Sequence, residues 1–98
     1  MVTLNKIIHE RVRLRILTYL ATSDKEAVSF GELQEKLSLT SGNLSIQLKK
    51  LQEANYAEIH KTFKDNKPYT TATLTLKGSQ ALTVYVEEME ELISALKK

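Results

Sequence analysis

Ser29-Phe30-Gly31-Glu32-Leu33-Gln34-Glu35-Lys36-Leu37-Ser38-Leu39-Thr40-Ser41-Gly42-Asn43-Leu44-Ser45-Ile46-Gln47-Leu48-Lys49-Lys50-Leu51-Gln52-Glu53-Ala54-Asn55-Tyr56 is the stretch that decides the fold. It opens with the Ser-x-x-Glu spacing of a capping box, in which the Ser29 hydroxyl accepts from an early helix amide and Glu32 reaches back. Leu33 and Leu37 give that short helix one buried face. Ser38-Leu39 then make a tight turn. Thr40 is a good N-cap for a further helix through about Ala54, and Asn55 suits the left-handed position just past its end. Two short helices joined by so brief a turn, here residues 29–54, form a helix-turn-helix.

Within the second helix, Leu44, Leu48 and Leu51 fall on one narrow stripe at about 100° per residue, so they face the core. Gly42, Ser45, Ile46, Lys49 and Lys50 lie on or near the opposite side, with Asn43 and Gln47 on the flanks. No acidic residue occurs from Ser41 to Gln52. Such a face suits the major groove of double-stranded DNA, where Asn and Gln pair two-fold with adenine and an apolar side chain meets the thymine methyl. Ile46 is the telling residue, because an outward isoleucine has no folding role there. Thr40, Ser41 and the free amides at the helix start are suited to a phosphate.

Outward from this core the periods are clear. Leu4, Ile7, Ile8, Val12, Leu14, Leu17 and Leu20 recur at helical steps, predicting a helix from Leu4 to about Ala21, with a bend allowed around His9-Glu10-Arg11. Ala27-Val28-Ser29 reads as a short strand. After Tyr56 the period becomes two: Ala57, Ile59, Lys61 and Phe63 alternate with polar residues, as do Thr70, Ala72, Leu74 and Leu76. Lys64-Asp65-Asn66-Lys67-Pro68 lies between, rich in turn formers. The prediction is a β-hairpin (57–75) with a basic tip, whose Lys61, Lys64 and Lys67 reach the DNA backbone without reading sequence. Thr75 caps a last helix, 76–97.

The class is therefore mainly α with a small hairpin, in the order α-(β)-α-α-β-β-α, as one domain over 1–98. The chain has 98 residues, a net charge of +2 and no cysteine, which removes disulfides and thiol-ligated zinc from consideration. Residues 1–86 hold twelve Lys/Arg against eight Asp/Glu, and residues 87–98 hold two against four, so the acidic end belongs away from a polyanion. No signal peptide or membrane span is predicted, which points to the cytoplasm. No metal-ligand spacing, nucleophile–base pair or phosphate loop is present, so no metal or cofactor is expected and an enzyme is disfavoured. His9 and His60 read as surface or partly packed residues, and Tyr19, Tyr56 and Tyr85 as core or interface.

With these residues in view, the chain resembles the winged helix-turn-helix transcriptional regulators near the ArsR and MarR groups, above all their short single-domain members. Leu39 to Tyr56 is similar to that family's recognition-helix signature, ending in Glu-Ala-Asn-Tyr where Glu-Ala-Gly-Tyr is usual. Lys67-Pro68-Tyr69-Thr70-Thr71 resembles its wing, Leu74-Thr75-Leu76-Lys77-Gly78 the entry to its last helix, and Val12-Arg13-Leu14-Arg15-Ile16-Leu17 its early helix. The resemblance implies a DNA-binding regulator. Three departures stand out: Tyr69 replaces a basic wing residue, Gln47 a histidine, and Arg11 a proline. The last implies a more continuous first helix. The Cys or Asp/His ligands of metal-sensing members are missing, so metal sensing is not carried over.

In the last helix Leu82, Tyr85, Met89, Leu92 and Leu96 step by three and four, a heptad-like seam widened by Val86 and Ile93. One side of this stripe can pack on its own domain. Pairing the helix with a second copy, together with Leu4, Ile7 and Ile8 from the first helix, predicts a homodimer whose two recognition helices face half-sites about one turn apart on a palindromic operator. The main expectation is a repressor. The rival is a winged-helix protein-interaction module, and lysine dependence with a steep salt response separates them.

Overall fold

A computed structural model describes residues 3–98 of the chain. The elements run α1 (Arg11–Thr22), β1 (Val28–Ser29), α2 (Phe30–Leu37), α3 (Ser41–Glu53), β2 (Ala57–Lys64), β3 (Lys67–Leu74) and α4 (Leu76–Leu96). This is the expected order and a winged helix. Among the described residues no helix is long and apolar enough to cross a membrane.

The caps explain the boundaries. Ser29, Thr40 and Thr75 each stand in extended backbone and accept, through the side-chain hydroxyl, from the amide three residues on. Helices α2 and α3 end in the same way. The Leu39 amide donates to Gln34 O at 3.0 Å and the Tyr56 amide to Leu51 O at 2.9 Å, each across a left-handed residue, Ser38 at φ 54° and Asn55 at φ 64°. That closure satisfies carbonyls that no helical amide can reach. Tyr56 then packs into the core beside Leu51, so the turn after α3 also fixes where the sheet begins.

The sheet is antiparallel, in the order β1-β3-β2. Asp65 and Asn66 both take positive φ, 54° and 63°, which makes the tight two-residue turn whose twist matches the strands. Lys64 pairs with Lys67 across it and Phe63 with Pro68. In such a hairpin the pair flanking the loop exchanges the hydrogen bonds, so the next residue's nitrogen faces away from its partner strand. Pro68, which has no N–H, therefore interrupts nothing. Strand β1 adds only two pairs, Val28 with Ala72 and Ser29 with Thr71.

Ile8, Ile16, Leu17, Val28, Leu33, Leu44 and Leu51 are the fully enclosed centre, where α1 meets α2, α3 and α4. Gly78 is needed for that assembly. A Cβ at this position would lie 2.2 Å from Tyr56 O, which already accepts from the Thr75 amide at 3.1 Å. The first turn of α4 thus lies against the backbone that follows α3.

The first helix starts later than its apolar pattern predicts. Residues 4–10 are irregular chain, a turn over 6–8 and a bend at 9–10, and α1 begins at Arg11 behind Glu10, whose carboxylate accepts from the Arg13 amide at 2.8 Å. Asn5 breaks the helix by taking the Ile7 and Ile8 amides on its own Oδ1, at 2.8 and 3.2 Å. Arg11 occupies the first helical position, the place where proline is best tolerated. The substitution of arginine for proline therefore does not lengthen the helix.

The capping box is also only half realised. Ser29 Oγ accepts from the Glu32 amide at 3.1 Å, but the Glu32 carboxylate turns to Tyr19 Oη at 2.5 Å and Lys25 Nζ at 2.6 Å. Those two donors, Lys25 before Tyr19, hold the Glu32 carboxyl below its usual range.

Candidate nucleic-acid interface

Helix α3 buries Leu44, Leu48 and Leu51, as their spacing predicts. The burial fixes the helix's rotation and turns Ser41, Gly42, Ser45, Ile46, Lys49 and Lys50 to the exterior. Ile46 is 56% exposed, so the apolar side chain indeed stands outside the core. A Cβ at Gly42 would meet nothing within 4 Å, and its φ is not positive, so no feature of the fold calls for glycine there. Thr40 is occupied as the cap, its Oγ1 accepting from the Asn43 amide at 3.1 Å.

Between α3 and the hairpin runs an open groove of about 580 Å³. Ser45, Lys49 and Gln52 line it from the helix, Ile59 and Lys61 from β2, and Phe30 lies at its base. The three wing lysines do not share one face of the sheet. Lys61 shares the face of Ile59 and enters this groove. Lys64 and Lys67, directly opposed in the register, belong to the other face of the sheet with Tyr69. Two like charges so placed repel each other. Lys64 rests over the Tyr69 ring at 5.0 Å, which gives its ammonium an electron-rich surface in place of an anion. Tyr69 thus supports a lysine where the family usually has a basic residue.

The two helix lysines diverge as well. Lys49 lines the groove, whereas Lys50 lies close enough to Glu10 to lower its pKa. Burial pushes the Glu10 carboxyl upward. The Arg13 and Val12 amides and the charges of Arg13 and Lys50 outweigh this, and the carboxyl titrates below its ordinary value of 4.5.

Gln47, on the flank of the outer face, is engaged by the protein's own side chains. It is half-buried: its Oε1 accepts from Arg13 Nη1 at 2.7 Å, and its Nε2 donates to Asn43 Oδ1 at 3.1 Å. Arg13 is only 9% exposed, donates from Nε to Ile7 O at 2.5 Å and lies 3.9 Å from Glu10. Sequence reasoning missed this arginine behind the helix. The signal was there, since the buried stripe of α1 at Ile16, Leu17 and Leu20 reaches Arg13 when continued back by one turn.

The predicted dimer seam divides. Ile8, Leu82 and Tyr85 are buried within the protomer, which removes them from any surface it can offer. Leu4, Ile7 and Met89 pack against the same core and are partly covered. Val86, Leu92, Ile93 and Leu96 remain exposed, Leu96 by 85%. The N-terminal segment is fastened by polar links: Asn5 Nδ2 donates to Tyr56 Oη at 2.7 Å, and His9 Nδ1 meets Tyr85 Oη at 2.8 Å. Among the described residues no three His, Cys, Asp or Glu side chains are grouped to hold a metal.

Comparison with known proteins agrees with this architecture. Residues 12–93 match the family described as winged helix DNA-binding domain. An uncharacterized protein of Methanocaldococcus jannaschii is 38% identical over 87 residues, covering 89% of this chain and 92% of that protein. Among solved structures, a transcriptional regulator homologue from Pyrococcus horikoshii superposes with a TM-score of 0.84 at 25% identity, over 94% of this chain and 89% of its own. The MepR protein of Staphylococcus aureus, solved with DNA, shares the fold with a TM-score of 0.74 at 14% identity, over 94% of this chain and 73% of its own.

Proposed function

Because this chain belongs to the winged helix DNA-binding domain family, we propose that it is a cytoplasmic transcriptional regulator that binds double-stranded DNA as a homodimer and represses by occupying a palindromic operator. The observation that carries this reading is the outer face of α3. Ser41, Gly42, Ser45, Ile46, Lys49 and Lys50 are all exposed and include no acid. The face stands beside a groove that Lys49 and Lys61 both line. A helix of this kind fits the major groove, with Ile46 against a thymine methyl and the wing lysines on phosphates.

Dimerisation is supported by the exposed apolar stripe Val86, Leu92, Ile93 and Leu96, which a small domain leaves uncovered at some cost in solubility. Two copies paired through α4 would present their α3 helices to half-sites about one DNA turn apart. Glu87, Glu88, Glu90 and Glu91 lie in this last helix, and an acid-rich end suits a place away from a polyanion.

The test is selection from a random double-stranded DNA pool, with affinity followed against salt. Enrichment of a two-fold symmetric site that is lost on Ile46→Ala is the expected result. About six phosphate contacts give a log–log salt slope near −5. Weak, unselective binding that ignores Lys49→Ala and Lys61→Ala sinks the proposal. It would favour the protein-interaction reading instead, for which Ile46 and the 75% exposed Phe63 at the wing tip offer apolar surface.

A further inference from the structure

The hydrogen-bond chain behind α3 has a direction. Arginine carries five N–H donors and no acceptor. Gln47 must therefore present its carbonyl, Oε1, to Arg13 Nη1 at 2.7 Å. The other end of that amide is then a donor, and Nε2 donates to Asn43 Oδ1 at 3.1 Å. The Asn43 amide is oriented in turn. Its Oδ1 is turned to Gln47, and both Nδ2 hydrogens are left for a ligand. Arg13 is held too firmly to release the chain, since Nε is bonded to Ile7 O at 2.5 Å and the residue is 9% exposed beside Glu10. Asn43 and Gln47 are four residues apart on one helix, the separation at which side chains meet.

We propose that this relay makes Asn43 a hydrogen-bond donor to DNA, so that it selects the acceptor edge of guanine over adenine. The inference rests on α3 being the base-contacting helix. A freely turning asparagine pairs two-fold with adenine, donating to N7 and accepting from N6. Here the carbonyl that adenine N6 needs is turned aside. Guanine shows two acceptors, N7 and O6, in the same groove, and both suit the Nδ2 hydrogens. Arg13 touches no base. It is a positioning residue that sets a specificity from inside the fold.

Selection from random duplex DNA with the full chain tests the idea, and Asn43→Ala marks the base pair that Asn43 contacts. The wild type is expected to enrich guanine over adenine there by about tenfold, the scale of one well-made base contact. Gln47→Met breaks the relay without adding charge and should move the preference to adenine. Gln47→Glu accepts from both Arg13 and Asn43, turns the Asn43 carbonyl outward, and should favour cytosine, whose N4 is a donor. Adenine in the wild type, or one base in all three proteins, overturns the proposal. A wild type that enriches no site overturns it too, through the regulator reading on which it rests. Side-chain amide exchange in the free protein separates these failures: Gln47 protons should exchange more slowly with water than those of Asn43. Equal exchange means that the relay does not exist.

Discussion

Gly42→Ala is expected to make the protein more stable and worse at binding DNA. Gly42 is the second residue of α3, is exposed, and has an ordinary φ, and a Cβ added there meets nothing within 4 Å. The new methyl therefore strains nothing in the free protein, while the unfolded chain loses some of its freedom. Alanine is favoured over glycine within a helix by about 0.5–1 kcal/mol. For a domain of this size 1 kcal/mol corresponds to about 4–8 °C, so the melting midpoint should rise by roughly 2–8 °C. Glycine at that place then needs a reason outside folding, and close approach of the helix start to DNA supplies one. Losing one charge-assisted contact to phosphate costs about 1.5–3 kcal/mol, or roughly 10- to 100-fold in affinity. Thermal melting and a binding titration on the same preparation read both effects. A rise in stability with unchanged affinity would refute the close approach, and a fall in stability would show that Gly42 serves the fold.

At Gly78 the same substitution acts in the opposite sense: its Cβ would stand 2.2 Å from Tyr56 O, and Gly78→Ala should lose about 3 kcal/mol or fail to fold, as read by urea denaturation. A stable Gly78→Ala protein would mean that α4 does not lie against the turn after α3. Glu10 and Glu32 both titrate below the ordinary 4.5, so their contribution to stability is present above that pH and is lost as pH falls through their folded values. Melting midpoints should be flat near neutrality and drop below about pH 4.5, and the deficit of Glu10→Gln should shrink at pH 3; an equal deficit at both pH values counts against the carboxylate's role. Ile93→Glu, on an exposed part of α4, should leave the fold intact and yield a monomer in sedimentation, whereas a wild type that is itself monomeric at micromolar concentration removes the dimer.

How much of this was legible in the sequence depends on how local each determinant is. The helix-turn-helix and hairpin were readable because their causes lie within a few residues: the Thr40 hydroxyl finds an amide three positions on, and Asp65-Asn66 tolerates the positive φ that a two-residue turn demands. The outward position of Ile46 followed from helical period alone. What escaped involved partners far along the chain. Leu4, Ile7 and Ile8 keep a helical spacing, yet Asn5 takes the local amides and the segment is held by Tyr56 and Tyr85, 51 and 76 residues from the side chains they meet. Glu32 exchanged a neighbouring amide for Tyr19 and Lys25, which only the packed α1–α2 pair brings near. In α4 the apolar spacing is continuous, and nothing in it marks where the protomer's own core ends, between Tyr85 and Leu92.

The hairpin is fastened to the body at one end only. Strand β1 reaches no farther than Ser29 opposite Thr71, so beyond His60 the two long strands have only each other. The four residues Lys61 to Lys64 extend roughly 13 Å past that anchor. Mechanically this is a cantilever beside a rigid post, for α3 is clamped by its buried leucines and by both caps. The tip deflects at little energetic expense while the helix stays in register. A surface built in this way tolerates variation in the shape of what it grips and remains exacting about what the helix face meets.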